Sequence, residues 1–325
     1  MIPSIPVFIL CGFLGAGKTT LLNYILYHQT THKIAIIENE FGNIAIDTSF
    51  LSNSNTAIHI TTLKNGCICC NSHAELEVSL KELLDQLDRK EVNFTQLIIE
   101  CTGMADPSPI LRTFLTHEIF SKRFDIKGTI TIVDAINALY HFKHFNVTQA
   151  QIAMADLILL SKTDLSTELL EPLVNQIQHM NKVAPIYNLK HGQLDLKLLD
   201  ELNFLSPKLS PKSSLFSCVP IIDDKISYDT KVNSFVIHRK QAFDADKLSR
   251  LINKILKVFE KQLIRYKGIF NIQHNPHRLI FQGVQQIYNS EWGEKWNNTE
   301  DRYSEIVFIG VKLPEEEFHY FFNKI

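Results

Sequence analysis

Apolar positions in the first two-thirds of the chain come as short unbroken runs. Val7-Phe-Ile-Leu-Cys11, Lys33-Ile-Ala-Ile-Ile-Glu38, Gln96-Leu-Ile-Ile-Glu100, Lys127-Gly-Thr-Ile-Thr-Ile-Val-Asp134 and Asp156-Leu-Ile-Leu-Leu-Ser161 are the strongest. Runs of this length predict strands covered on both faces, the habit of parallel sheets. Ile58-His-Ile-Thr-Thr-Leu63 alternates and predicts a further strand. Between the runs the spacing turns helical. Leu21 to Leu26 follows the first strand, Leu76, Leu80, Leu83, Leu84 and Leu87 recur on one face, and Gln149 to Ala155 forms a third helix. Strand and helix in alternation predict an α/β unit with a mostly parallel sheet.

The pattern breaks at Ser206-Pro-Lys-Leu-Ser-Pro-Lys-Ser-Ser214, which has the composition of a linker. From Val232 a second unit is expected, with strands at Ser234–His238, Lys267–Ile272, Leu279–Gln282 and Ile306–Gly310. A long helix is predicted over Asp244–Tyr266, and Pro314-Glu-Glu-Glu-Phe318 opens a terminal one. The expected organisation is residues 1–205, a linker 206–230, and a smaller α+β domain 231–325.

Charge and composition remove several classes. The net charge is −2, so no polyelectrolyte argument for nucleic acid or an anionic membrane arises. No apolar run approaches the roughly 18 residues of a membrane span. Met1-Ile-Pro-Ser-Ile-Pro6 has no basic start and runs into a core strand, so no signal peptide is expected and a cytoplasmic location is. Six cysteines in 325 residues do not describe a disulfide scaffold. Cys11, Cys101 and Cys218 read as small buried apolar side chains.

Chemistry concentrates where strands end. Gly12-Phe-Leu-Gly-Ala-Gly-Lys-Thr-Thr20 lies between the first strand and the first helix and satisfies G-x-x-x-x-G-K-[ST] through Gly12, Gly17, Lys18 and Thr19. Backbone N–H groups of Gly12, Phe13, Leu14, Gly15, Ala16 and Gly17, with Thr20 at the helix start, would surround a triphosphate at the positive end of that helix. Lys18 would reach the β- and γ-phosphates, and the Thr19 hydroxyl would serve Mg²⁺. Glu100 closes an apolar strand as a Walker B carboxylate does, and Gly103 would offer an N–H to the γ-phosphate. Glu38 and Glu40 lie at and beyond the end of another strand; Asp47 is a candidate for holding Mg²⁺ or water. Lys18, Thr19, Asp47 and Glu100 are thus the catalytic candidates. Ser161-Lys-Thr-Asp164 resembles the guanine-reading loop: Asp164 would accept from N1–H and the 2-amino group, with the Lys162 stem along the base. Ser161 lacks the amide of the usual Asn, so some contacts of that loop must be weaker or made differently. These residues favour GTP over ATP, since unpaired site groups penalise the wrong base. No arginine finger is evident, which predicts slow hydrolysis.

Gly66-Cys-Ile-Cys-Cys70 is the remaining motif. Cys67, Cys69 and Cys70 suit Zn²⁺, Cu(I) or another thiophilic ion, while redox chemistry and an incidental cluster stay open. Glu38, Glu75 and His117 are candidate completing ligands.

Taken together, Gly12–Thr20, Glu38-Asn-Glu-Phe-Gly42, Gly66–Cys70, Glu100-Cys-Thr-Gly-Met-Ala-Asp-Pro107 and Ser161–Asp164 resemble the CobW-type metallochaperone GTPases. Arg265-Tyr-Lys-Gly-Ile-Phe270, Arg278-Leu-Ile-Phe-Gln-Gly-Val-Gln285, Val307-Phe-Ile-Gly310 and Leu313-Pro-Glu-Glu-Glu317 extend the resemblance to its second domain, nearest the YjiA branch. The resemblance implies a P-loop GTPase that uses GTP and Mg²⁺, binds Zn²⁺ or another divalent transition metal through Cys67, Cys69 and Cys70 with help from Glu38, and hands metal to client proteins. Asn43 stands where many relatives carry an acid, and a His-rich storage stretch is missing, so no large metal reservoir is expected. Two rivals remain: a metal- or redox-sensing switch that delivers nothing, and an ATP-dependent small-molecule kinase, which Asp164 disfavours.

Overall fold

The computed structural model describes residues 4–29, 31–38, 59–62, 73–165, 170–190, 192–202, 231–297 and 299–325. Asp47, Cys67, Cys69, Cys70, Cys218 and the 206–230 stretch lie outside the described residues. Two compact units are present. The described residues through Val174, and again from Ala184, belong to the first; Asn175–Val183 and the residues from Lys231 to Ile325 belong to the second.

In the first unit, seven described strands form one sheet: β1 (Ile5–Gly12), β2 (Ile34–Glu38), β3 (His59–Thr62), β4 (Gln96–Glu100), β5 (Phe124–Asp134), β6 (Leu157–Ser161) and β7 (Ile186–Leu189). Their order is β3-β2-β4-β1-β5-β6-β7, and every pairing is parallel. β2, β4 and β6 are buried along their whole length, the reason each reads as an apolar run. Register aligns the strand ends: Leu10 faces Glu100, Glu38 faces Glu100, Gly12 faces Ile132, and Asp134 faces Ser161. The chain winds away from β1 in both directions, so ligand-binding loops gather at this carboxyl edge.

Helix α1 (Lys18–His28) buries Leu21, Leu22, Ile25 and Leu26 against the sheet. Helix α2 (His73–Asp88) turns Leu76, Leu80, Leu83 and Leu84 inward, as the spacing predicts. Helices α3 (Ser108–Thr116), α4 (Glu118–Arg123), α5 (Ala138–His144) and α6 (Asn146–Met154) complete the loops after β4 and β5; α7 (Leu170–Met180) begins in this unit and passes into the second at Asn175, and α8 (Lys197–Glu201) lies near the end of the first.

The second unit contains β8 (Val232–Arg239), β9 (Leu263–Phe270), β10 (His277–Val284), β11 (Ile287–Lys295) and β12 (Ser304–Val311) in the antiparallel order β11-β10-β9-β12-β8. Helix α9 (Ala245–Val258) begins at Asp244, whose carboxylate accepts from the Lys247 N–H at 2.9 Å. Helix α10 (Glu315–Asn323) carries Glu315, Glu316 and Glu317 in its first turn, where the helix dipole favours acids. One core joins the helices to the sheet through Phe235, Phe259, Phe308, Phe318 and Phe322.

One expected boundary is wrong. The helix predicted to reach Tyr266 stops at Val258. The N–H groups of Gln262 and Leu263 both bond the Phe259 carbonyl, and the chain enters β9 at Leu263. No Gly or Pro marks the turn, and Leu263 and Tyr266 continue the apolar spacing, so periodicity alone overruns it. The strand placed at Lys267 therefore starts four residues earlier.

Phe318 is fully buried, with ring centroids 5.1 Å from Phe235, 4.7 Å from Phe259 and 4.8 Å from Phe308. Phe318→Ala should destabilise the second unit by about 3–5 kcal/mol, the usual range for a buried Phe. Tyr320→Ala, on the exposed side of α10, should stay within about 0.5 kcal/mol. Denaturant unfolding of both variants checks the difference.

Candidate nucleotide site

The loop after β1 has the backbone of a phosphate cradle. Gly12, Gly15 and Gly17 all have positive φ, at 146°, 71° and 104°. Glycine is required twice over at Gly12, where a Cβ would lie 2.5 Å from the Ile132 carbonyl oxygen. Gly17 caps α1, and the first turn of that helix carries no acid, so its positive end is unopposed. The Lys18 ammonium donates to the Gly12 carbonyl at 3.0 Å and the Phe13 carbonyl at 3.4 Å, which folds it across the loop. Thr19 is half-buried on the first turn, and Thr20 and Leu14 are exposed.

The end of β4 is fastened to this loop. The Cys101 N–H bonds the Leu10 carbonyl at 2.9 Å. Gly103 lies directly under Leu14: a Cβ there would be 2.6 Å from the Leu14 backbone nitrogen. Buried Gln151 on α6 donates to the Ala105 and Gly103 carbonyls at 2.9 and 3.3 Å, and its own carbonyl accepts from Thr131 of β5. Asp106 accepts from the Ser108 N–H and hydroxyl at the start of α3. Glu100 is buried at this edge beside Glu38, and the Thr102 hydroxyl is buried with no hydrogen-bond partner among the described residues. Cys11 and Cys101 face each other with the sulfurs 3.3 Å apart. Burial, and then the neighbouring Cys101, pushes the Cys11 thiol well above its ordinary range, consistent with the apolar role expected of both.

The loop after β6 is tied to the same frame. The Ser161 hydroxyl donates to the Ala16 carbonyl at 2.7 Å, so the missing amide is replaced by a hydroxyl that grips the phosphate loop itself. Lys162 adopts φ 59° and places its ammonium 2.8 Å from Asp134 Oδ2. Asp134 also accepts from the Ile136 N–H at 3.0 Å and the Asn137 amide at 2.9 Å. Burial opposes its ionisation, but the Lys162, Asn137 and Ile136 hydrogen bonds outweigh it and hold the carboxyl below its usual range. Asp164 is exposed beyond them. Phe13 packs between His141 of α5, at 4.3 Å, and Phe145, at 4.8 Å, and burial keeps His141 below the ordinary histidine range. Phe13 thereby anchors the loop to α5 and to Phe145.

The structure therefore brings Gly12–Thr20, Glu100, Gly103, Ser161, Lys162 and Asp164 to one sheet edge, with Glu38 beside Glu100. Asp134, Gln151 and the α5 aromatic contacts were not anticipated. Asp134 had a readable signal, since it closes β5 as Glu100 closes β4. Gln151, inside a helix, had none. Glu75 sits in the first turn of α2, and His117 caps α3 with its ring stacked 4.0 Å from Phe120. Glu75 Oε2 and His117 Nδ1 are buried with no hydrogen-bond partner among the described residues. Glu38, Glu75 and His117 do not meet as a group, for among the described residues no three His, Cys, Asp or Glu side chains converge on a metal position.

A glycine cradle at the positive end of a helix, with buried acid beside it at the carboxyl edge of a parallel sheet, defines a P-loop nucleotide-binding protein. Residues 6–188 match the CobW/HypB/UreG nucleotide-binding domain and residues 232–325 match the cobalamin synthesis protein cobW C-terminal domain. The chain belongs to the CobW/HypB/UreG family. It is 42% identical to the zinc chaperone YjiA of Escherichia coli (strain K12), covering 96% of both chains. It is 26% identical to the zinc-regulated GTPase metalloprotein activator 1 of Saccharomyces cerevisiae, over 96% of this chain and 81% of the relative. The solved Zn(II)-bound triple mutant of the YjiA GTPase superposes with a TM-score of 0.81 at 37% identity, covering 99% of both chains.

Gly103→Ala tests the packing of the two loops. Its methyl group has no room beneath the Leu14 backbone, so nucleoside triphosphate affinity should fall by about tenfold or more, an ångström-scale misplacement of binding groups. Titration with a fluorescent triphosphate analogue reads the change; an unaltered affinity contradicts the packing role.

Proposed function

We propose that this chain is a cytoplasmic Mg²⁺-dependent GTPase of low turnover that binds Zn²⁺ through Cys67, Cys69 and Cys70 and transfers it to metal-dependent client proteins under control of its nucleotide state. The observation that carries the reading is one sheet edge holding both the Lys18 cradle and the Lys162–Asp164 loop, joined by the Ser161–Ala16 hydrogen bond. The zinc in the names of the relatives supports the choice of cargo.

The donor set fits a magnesium-bound triphosphate. Gly12, Gly15 and Gly17 adopt the positive φ of an anion-binding loop, α1 opens without an acid, and Glu100 and the buried Thr102 hydroxyl lie at the same sheet edge. Lys18 and the loop N–H groups would neutralise phosphate charge, Thr19 and Glu100 would hold the metal or its waters, and Asp47, which lies between β2 and β3 in the sequence, would join them. When bound, Mg²⁺ would supply neutralising charge to the phosphate oxygens. Gly103 would offer an N–H to the terminal phosphate, and Asp164 would select guanine. In the sequence, the three thiols fall between β3 and α2, and the segment containing Asp47 falls between β2 and β3, both strands of the nucleotide sheet. Zinc and phosphate are thus read by neighbouring connections of one sheet. Glu38, which closes β2, would assist the three thiolates, whereas among the described residues Glu75 and His117 do not meet it as a group. Among the described residues no helix is long and apolar enough to cross a membrane.

The double variant Cys67→Ala, Cys69→Ala should lose tight Zn²⁺ binding while keeping its affinity for GTP, measured by chelator competition and nucleotide titration. Unchanged zinc affinity sinks the metallochaperone reading. Wild-type zinc affinity should also fall as the pH drops, because the thiolates must be deprotonated to bind. In nucleotide competition GTP should displace a fluorescent GTP analogue at far lower concentration than ATP; tight ATP binding with weak GTP binding revives the kinase reading.

A further inference from the structure

We infer that Asp134 is the positioning residue of base recognition: buried at the end of β5, it holds the Lys162 ammonium so that the lysine stem forms the flat support on which the purine rests. The inference rests on the guanine-nucleotide reading of Ser161–Asp164 and goes beyond it by assigning a residue outside that motif.

The geometry separates a fixed partner from an adjustable one. Asp134 has a side chain only 3% exposed, whereas that of Lys162 is 38% exposed. Two of the hydrogen bonds to the carboxylate come from its own connection, from the Ile136 N–H to Oδ1 and the Asn137 amide to Oδ2. The carboxylate is therefore oriented independently of the lysine, and the lysine is the group that takes its position from the pair. A long lysine side chain left to itself samples many rotamers. Anchored at its tip by a buried acid 2.8 Å away, with its backbone at φ 59°, the lysine keeps a partly exposed side chain whose methylene stem can support a base. Non-glycine residues in this backbone region concentrate at ligand clamps, where surrounding contacts maintain them.

The backbone fixes both ends of the pair. Asp134 and Ser161 are partners in the β5–β6 register, and the Ala135 N–H bonds the Ser161 carbonyl at 3.0 Å. Asp134 thus sits across from the residue preceding Lys162, on a strand the guanine motif does not contain. The connection that starts at Asp134 leads into α5, whose His141 packs on Phe13 of the phosphate loop. Base support and phosphate cradle share this frame.

A support that runs along the base plane contacts any purine alike, while the carboxylate of Asp164 reads the guanine edge. The two roles separate on inosine triphosphate, which lacks the 2-amino group. Asp134→Asn in the full-length protein should weaken GTP and inosine triphosphate binding together, by about tenfold, the scale of losing a charge-assisted hydrogen bond. The loss should appear in Kd and KM with kcat changed less than about twofold, a pattern of uniform binding loss. In a Lys162→Met background the same substitution should add nothing further. Asn137→Ala, which removes one orienting hydrogen bond and keeps the charge, should give a smaller loss of the same kind and serves where Asp134→Asn does not fold. Undiminished GTP affinity in Asp134→Asn, or an equal loss from Asp134→Asn or Asn137→Ala with and without Lys162, overturns the positioning role. A wild-type protein without preference for GTP over ATP instead overturns the guanine reading on which it rests.

Discussion

The parallel register about β1 is the constraint on which the rest of the first unit depends. It sets Leu10 opposite Glu100 on one side and Gly12 opposite Ile132 on the other, while Glu38 and Ser161 take matching positions one strand further out. A shift of one residue in either pairing would move an acid or the phosphate loop off the edge and turn its side chain to the opposite face. Because β2, β4 and β6 are buried throughout, a slipped register would also bring polar strand ends into the core. The apolar runs that build the sheet therefore determine where its chemistry sits.

Three contacts convert this edge into a single object. Gly103 lets the β4 loop lie against Leu14, the Ser161 hydroxyl holds the Ala16 carbonyl, and Phe13 wedges between His141 and Phe145. The phosphate loop is thus held from β4, β6 and α5 at once. Gln151 extends the arrangement by tying the loop after Glu100 to α6 and β5. Packed, discrete arrangements of this kind transmit a change at one loop to its neighbours, because they shift between states rather than deform smoothly.

Much of this was legible in the residues. Strands covered on both faces are written as apolar runs, and strand-closing acids are visible because they interrupt those runs. The glycine spacing of the phosphate loop is local, so nine consecutive residues carried it. What escaped is non-local. Asp134 and Lys162 are 28 residues apart, and nothing in either neighbourhood announces the pair. Ser161 looked weaker than the Asn it replaces because its hydroxyl partner, the Ala16 carbonyl, is 145 residues away in sequence. The overrun of α9 has a different cause: Val258–Gln262 contains no breaker, and helical and strand spacing coincide across the turn. Glu75 and His117 were singled out by residue type alone, and the described structure does not bring them together with Glu38.

Under the proposed function, the nucleotide site and the three thiols share one equilibrium. Linkage requires that any such coupling be reciprocal, so it is measurable from the metal side alone. Zinc titration of the metal-free protein with and without a non-hydrolysable GTP analogue tests it most directly. Zinc affinity should differ between the two titrations by at least about fivefold, the lower end of ordinary allosteric coupling. Superimposable titrations, with the analogue shown to be bound, would contradict it.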